Sequence, residues 1–263
     1  MKKYVRFEYE GKTGFGILEG DRIVVLDRNF MDEAAAATGE ILEERMVKLL
    51  APVQAPNIIC IGLNYKPHAA EADMKLPELP LIFLKTTTAL AGPQDPILLP
   101  KIAPDNVDYE GELAIVIKKT AKNVREEDAL DYVFGYTIAN DVSARDCQLK
   151  IDGQWARGKS FDSFCPIGPA VTTGINADEL SIQTRLNGRV MQDSNTRHLI
   201  FNISSLVSFC SRNMTLLPGT IILTGTPEGV GFSRVPPVWL RAGDRVEIEI
   251  EGIGVLANSV EAE

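Results

Sequence analysis

Two glutamates in the stretch VDYEGELAIVIKK, Glu110 and Glu112, stand two residues apart where an apolar strand begins. Side chains at i and i+2 leave an extended chain on the same face, about 7 Å apart between Cα atoms. Like charges that close need a reason. Downstream, the apolar run YTIAN ends at Asp141, at a strand end where loops begin and sites are commonly built. If that run lies beside the first, three carboxylates converge. Three hard oxygen donors completed by water suit Mg²⁺, Mn²⁺ or Ca²⁺ and do not suit zinc or copper. A lone ExE is commonly a solvated strand face, which is how Glu247, Glu249 and Glu251 in VEIEIEG read.

A second pair can move protons. In GLNYKPHAAEADMKLPELP, Pro67 suits a first helical turn, and Ala69, Ala70, Glu71 and Ala72 favour a helix that ends before Pro77. His68 and Glu71 are then i, i+3 neighbours on one helix face. A carboxylate beside an imidazole fixes its tautomer and raises its basicity, as a base working near neutral pH requires. The other reading is a surface ion pair without a catalytic part. His198, the second of only two histidines, has no such partner and reads as a structural or interface residue. Cys60, Cys147, Cys165 and Cys210 are scattered, with no CxxC pair and no adjacent base, and read as reduced packing thiols. The loop TGTPEGVG lacks a GK[ST] ending, and no GxGxxG opens a helix after a strand, which disfavours nucleotide cofactors. Its glycines are expected to let backbone N–H groups approach substrate oxygens, with Thr224 and Thr226 adding hydroxyls.

These residues must be positioned by a mainly β scaffold with some α, an α+β fold. The first 25 residues alternate apolar and polar positions, with turns at Glu10-Gly11 and Gly20-Asp21. The Ala- and Glu-rich stretch MDEAAAATGEILEERMVKLL is expected to be helical, interrupted at Gly39, giving a small N-terminal α+β lobe over residues 1–55. From residue 56 to 263 short apolar strands such as NIICIG, LIFLK and TIILTG alternate with Gly and Pro, and SSLVSFCSRN is the clearest helix. That pattern predicts a sandwich, roll or barrel.

The chain of 263 residues, 45% hydrophobic and 24% charged, has an ordinary globular composition. Its formal net charge of -9 and the lack of a basic cluster argue against nucleic acid as a partner. The opening MKKYVRFEYEGK carries no apolar signal-peptide stretch, and no run of 18 apolar residues occurs, so a cytoplasmic protein without a membrane partner is expected.

Four segments in order, DYEGELA, YTIANDVSARDCQ, GKSFDSFCPIGP and LTGTPEGVG, resemble the motif set of the fumarylacetoacetate hydrolase family over roughly residues 57 to 260. The resemblance is to its acylpyruvase, oxaloacetate decarboxylase and 2-hydroxyhepta-2,4-diene-1,7-dioate isomerase branch. It implies a mixed β-sandwich roll, and Glu110, Glu112 and Asp141 as ligands of Mg²⁺ or Mn²⁺. It also implies that Arg145, Gln148 and Thr226 bind substrate, that Lys159 is catalytic close to the metal, and that His68 and Glu71 ride on a segment that closes over the substrate. The family's habit of pairing implies a homodimer. Three carboxylates against one divalent ion leave one negative charge, and a keto acid adds another; Lys159 and Arg145 can offset this excess, Arg by two parallel hydrogen bonds.

The expected reaction is cleavage of a carbon-carbon bond in a small 2-keto acid through a pyruvate enolate whose charge the metal stabilises. In a hydrolase, His68 aided by Glu71 activates water against a 4-keto carbonyl; in a decarboxylase, CO₂ leaves without water. Tautomerisation or isomerisation needs only proton transfers around the same enolate. An inactive binding or scaffold module would lack ligands or the acid–base pair, and all of them are present. Specificity is expected in residues 73–80, 149–157 and 232–240.

Overall fold

The computed structural model describes residues 1–71 and 73–263. Five strands open the chain: β1 (Lys2–Tyr9), β2 (Lys12–Glu19), β3 (Arg22–Leu26), β4 (Ala37–Glu43) and β5 (Lys48–Leu50). The first two hairpins turn on two residues each, pairing Tyr9 with Lys12 and Glu19 with Arg22. Glu10, Gly11 and Gly20 adopt the left-handed backbone that such tight turns require.

The helix expected over residues 31–50 does not form. Ala37–Glu43 pairs antiparallel with β3, Glu44–Met46 is a single 3₁₀ turn, and Lys48–Leu50 pairs with β1. Leu42 is buried between exposed Ile41 and Glu43, a period of two, and Gly39 sits at φ 88, outside the helical region. Alanine's helical preference is worth only tenths of a kcal/mol per residue, about one hydrogen bond in sum, and satisfying the open edge of β3 outweighs it. The lobe is therefore β, without an α-helix among its residues.

The remaining strands are β6 (Ile58–Gly62), β7 (Leu81–Lys85), β8 (Leu90–Ala91), β9 (Ile97–Leu99), β10 (Val107–Asp108), β11 (Gly111–Ile117), β12 (Val133–Asn140), β13 (Ser143–Ala144), β14 (Cys165–Thr173), β15 (Ser181–Leu186), β16 (Arg189–Asn195), β17 (Ile221–Leu223), β18 (Arg245–Ile250) and β19 (Gly254–Ala262). One sheet runs β4-β3-β2-β1-β14-β12-β11-β17-β6-β7, so β1 carries it across from the N-terminal strands. A second, β16-β15-β18-β19-β9, packs against it. The result is mainly β with both parallel and antiparallel pairs.

Every residue of β11 is buried, because the second sheet covers it on one side. Helix α3 (Ile203–Asn213) contributes Ile203, Leu206, Val207 and Cys210 to the same core, and the Asn202 side chain caps it by accepting from Ser205 N–H at 2.9 Å. Helix α1 (Lys66–Glu71) covers the expected start of the His68 segment, with Pro67 in its first turn; Ala72 lies outside the described residues. A short helix α2 (Ala156–Lys159) follows a π-helical turn over Cys147–Ile151.

Candidate active site

The strand register brings the carboxylates together. β11 and β12 run antiparallel with Gly111 opposite Asn140, and Asp141 N–H donates to Glu110 O at 2.9 Å. Carboxylate oxygens of Glu110, Glu112 and Asp141 lie within 4.8 Å of one another, all three residues buried. Gly111, between the two glutamates, has no room for a side chain: a Cβ there would meet Thr184 Oγ1 of β15 at 2.2 Å. Its N–H donates to Gln192 Oε1 at 2.9 Å.

Buried cations surround this cluster. Lys159 Nζ donates to Glu110 Oε2 at 2.6 Å and to Asp141 Oδ2 at 2.8 Å, and Lys85 Nζ, from the end of β7, donates to Asp141 Oδ1 at 2.5 Å. Arg145 turns its fork inward: Nε and Nη2 donate to Asp108 Oδ2 at 2.9 and 2.7 Å, Nη2 to Glu110 Oε1 at 2.6 Å, and Nη1 to Gln148 Oε1 at 2.9 Å. Of five guanidinium hydrogens one is left over, so the expected two-pronged grip on a substrate carboxylate is already taken by Asp108 and Glu110.

Two of these residues, Lys85 and Asp108, escape the sequence reading. Lys85 ends the apolar run LIFLK, where a lone charge looks like a strand terminus. Asp108 stands at the same i, i+2 spacing before Glu110 as Glu110 before Glu112, a signal that was present in VDYEGE.

Four buried carboxylates thus face three cations. Glu112 is the one without a cationic partner: its hydrogen bond comes from Gly225 N–H at 2.7 Å. Burial, and then the charges of Asp141 and Glu110, push its carboxyl well above the usual range. Burial opposes ionisation of Glu110 too, but Arg145 and Lys159 prevail and hold it well below that range. Burial works against Lys159 as well, and the Asp141 and Glu110 charges more than offset it, raising its pKa. A hard divalent cation fits this donor set, since it would ionise Glu112 by supplying the missing charge.

His68 lines the same cleft of about 360 Å³ as the three carboxylates. Its Nδ1 lies 3.2 Å from Glu71 Oε2, and Glu71 also accepts from Gly229 N–H at 3.1 and 3.2 Å. Burial raises the Glu71 pKa, but the bonds from His68 and Gly229 dominate and leave it lowered. Tyr109 O–H donates to Gly229 O at 3.1 Å, tying the loop to the carboxylate strand.

The TGTPEGVG loop uses its amides differently from expectation. Gly225 and Gly229 N–H serve Glu112 and Glu71, protein carboxylates, rather than open space for substrate oxygens. Gly225, at φ 99, would bring a Cβ within 2.7 Å of Asn64 Cβ. Buried Asn64, another residue missed in the sequence, pins the loop by donating to Thr224 O at 2.7 Å. Thr224 Oγ1 donates to Leu113 O, and Thr226 Oγ1 donates to Gly111 O at 3.0 Å while accepting from Gln192 Nε2 at 2.8 Å. Thr226 and Gln148 nevertheless line the cleft with Arg145 and Lys159.

His198 lies outside it, with Nδ1 3.3 Å from Ser194 Oγ. All four cysteines are free and buried; burial pushes Cys165 and Cys210 up to about 12, so they pack as neutral thiols. Among the described residues no helix is long and apolar enough to cross a membrane.

The chain is similar in sequence and fold to known proteins. The family profile described as fumarylacetoacetate (FAA) hydrolase C-terminal matches residues 57–261, and one described as Rv2993c-like, N-terminal matches residues 2–52. A Dictyostelium discoideum protein called fumarylacetoacetate hydrolase domain-containing protein 2 homolog is 51% identical over 226 residues, 81% of this chain and 74% of that protein. The mitochondrial oxaloacetate tautomerase fahd2 of Xenopus laevis is 49% identical over 225 residues, 84% and 70% of the two chains. The crystal structure of 2-hydroxyhepta-2,4-diene-1,7-dioate isomerase from Mycobacterium marinum superposes with a TM-score of 0.90 at 40% identity, covering 100% of this chain and 99% of that one.

Proposed function

Because this chain belongs to the fumarylacetoacetate hydrolase family, we propose that its cleft catalyses proton transfer at C3 of a small 2-oxo acid, as a tautomerase or isomerase. The observation that carries the reading is that His68, held by Glu71, and a buried three-carboxylate cluster line one cleft. Relatives named for oxaloacetate tautomerisation and dienedioate isomerisation support it.

Mg²⁺ or Mn²⁺ held by Glu110, Glu112 and Asp141 would supply fixed positive charge for the substrate's carboxylate and keto oxygens. His68 takes the C3 proton, the electron pair of that C–H bond moves into the C2–C3 bond, and the keto oxygen takes up the negative charge. Return of the proton to oxygen or to a conjugated carbon completes tautomerisation or isomerisation. Glu71 holds the imidazole by one nitrogen and leaves the other for the substrate. Lys159, with two ammonium hydrogens on Glu110 and Asp141, keeps one for the developing oxyanion.

Carbon-carbon cleavage is the second reading, favoured by a cleft that continues past the carboxylates along Phe83, Leu81 and Trp155. There His68 would deprotonate water, hydroxide would add to a C4 carbonyl, and the C3–C4 pair would pass to C3. The family's habit of pairing, not the site, suggests that the enzyme is a homodimer; its substrate is a small molecule.

The deciding assay follows the enol absorbance of oxaloacetate and, separately, cleavage of acetylpyruvate, each with Mg²⁺ and with EDTA. Metal-dependent ketonisation that falls about 100-fold or more in His68→Ala is expected. Enol loss indifferent to the enzyme, or to His68, refutes the reading.

A further inference from the structure

Each of the three clustered carboxylates is tied down by one oxygen. Glu110 Oε1 accepts from Arg145 Nη2 at 2.6 Å, Glu112 Oε2 from Gly225 N–H at 2.7 Å, and Asp141 Oδ1 from Lys85 Nζ at 2.5 Å. Lys159 Nζ bridges the second oxygens of two of them, Glu110 Oε2 at 2.6 Å and Asp141 Oδ2 at 2.8 Å. A carboxylate oxygen has two lone pairs, so a hydrogen bond from Lys159 leaves each of these oxygens able to bind an ion as well.

Lys85 differs from Lys159 in where it stands. Glu110, Glu112, Asp141, Arg145 and Lys159 line the cleft, and Lys85 does not. Its side chain is fully buried, and Nζ donates also to Val142 O at 3.1 Å. The strand fixes it there, since Lys85 closes β7 opposite Ile58 of β6. The ammonium thus meets Asp141 from the protein side, so the Oδ1 edge of the carboxylate faces inward and the Oδ2 edge faces the cleft. To chelate an ion with both oxygens, Asp141 would have to crowd two cations onto Oδ1, or turn away and strand a buried ammonium; both are costly out of water.

Divalent ions differ in what they ask of such ligands. Mg²⁺ takes about six in a tight octahedron and keeps several waters, whereas Ca²⁺ takes about six to eight and commonly draws two oxygens from one carboxylate. Arg145, itself locked by Asp108 and Gln148, holds back one oxygen of Glu110, and the Gly225 amide holds back one of Glu112. Lys85 completes a set of three one-oxygen ligands. Groups that orient a metal's ligands in this way commonly govern its affinity by about 10- to 100-fold.

We propose that Lys85 is a positioning residue for the metal: by holding Asp141 to one oxygen it makes the site prefer a small six-coordinate ion such as Mg²⁺ over Ca²⁺. This rests on the reading of Glu110, Glu112 and Asp141 as metal ligands. Calorimetric titration of the metal-free full chain with Mg²⁺ and with Ca²⁺, without substrate, gives the two dissociation constants. The wild type should bind Mg²⁺ about tenfold or more tighter than Ca²⁺, and Lys85→Met, which keeps the length and loses the ammonium, should narrow that ratio about tenfold. Losing one nearby positive charge strengthens both ions alike, so the ratio, rather than either affinity, reports the positioning. Infrared difference spectra of the wild type with ¹³C-carboxyl aspartate read Asp141, the one aspartate among the three ligands, without any substitution, and decide the matter should Lys85→Met not fold. On Mg²⁺ loading the gap between its two carboxylate stretches should widen, as one-oxygen ligation requires; a narrowing, the mark of chelation, overturns the proposal. Equal affinities in the wild type, or a ratio unchanged in Lys85→Met, overturn it too and leave the metal-dependent reaction standing. Binding of neither ion would sink the ligand reading and this proposal with it.

Discussion

Replacing Asp108 by asparagine exchanges one oxygen for an NH₂ group, yet the surroundings make it a severe change. The buried carboxylate accepts five hydrogen bonds: Tyr109 and Gly231 N–H on Oδ1 at 2.9 and 2.8 Å, and Phe232 N–H with Arg145 Nε and Nη2 on Oδ2 at 3.0, 2.9 and 2.7 Å. Burial drives its pKa upward, but with every neighbour a donor there is no acceptor for a proton to face. In Asp108→Asn the NH₂ must point at two donors or at three, whichever way it flips. Breaking a buried ion pair from one side costs about 3–5 kcal/mol. For a chain of this size each kcal/mol is about 2–4 °C of melting temperature, so a fall of about 6–20 °C is expected by calorimetry. Because Asp108 also fixes Arg145 and the loop whose Gly229 amide holds Glu71, kcat/KM should drop about 100-fold even in the folded fraction. A variant that melts within about 2 °C of the wild type with full turnover would refute this view of Asp108.

Three other outcomes follow from the same contacts. Mg²⁺ should raise the melting temperature of the wild type by mass action, and Glu112→Gln should abolish that shift in a thermal denaturation series. Without metal the same variant should be as stable as the wild type or more so, because burial and the charges of Asp141 and Glu110 disfavour the ionised form of Glu112. Gly111→Ala, with its Cβ 2.2 Å from Thr184 Oγ1, should cost about 1–3 kcal/mol in urea denaturation, and Thr184→Ala should restore part of it. The lowered Glu71 pKa means that its charge stabilises the docked α1 above the ordinary carboxylate pKa of about 4.3, and that this is lost as pH falls through the folded value. Protection of the Gly229 amide, its slowing relative to an unstructured chain at the same pH, should therefore fall on acidification, and Glu71→Gln should remove that dependence.

The parts of this site that were legible in the sequence are those fixed by short spacing. ExE on an extended chain, and a His and a Glu one helical turn apart, are geometric statements about neighbours, and the fold places both as their spacing demands. The N-terminal segment shows the limit of such reasoning. Its alanines and glutamates favour a helix locally, but the edge of β3 lies within reach and Gly39 breaks the helical path, so pairing outweighs propensity.

The cation network was hidden for a different reason. Lys85 reaches Asp141 across 56 residues, and Asn64 reaches Thr224 across 160; no local pattern distinguishes either from an ordinary polar residue. The consequence concerns charge more than contact. Counted from the motifs, three carboxylates and one divalent ion leave a deficit that Lys159 and Arg145 would cancel for an arriving anion. In the folded chain Asp108 absorbs much of Arg145, and Lys85 takes its place beside Asp141. Four carboxylates against three cations would leave the apo site at about -1 if all were ionised, which the raised Glu112 pKa opposes, and a divalent ion would bring the fully ionised set to about +1. That balance favours an arriving anion such as the 2-oxo acid head.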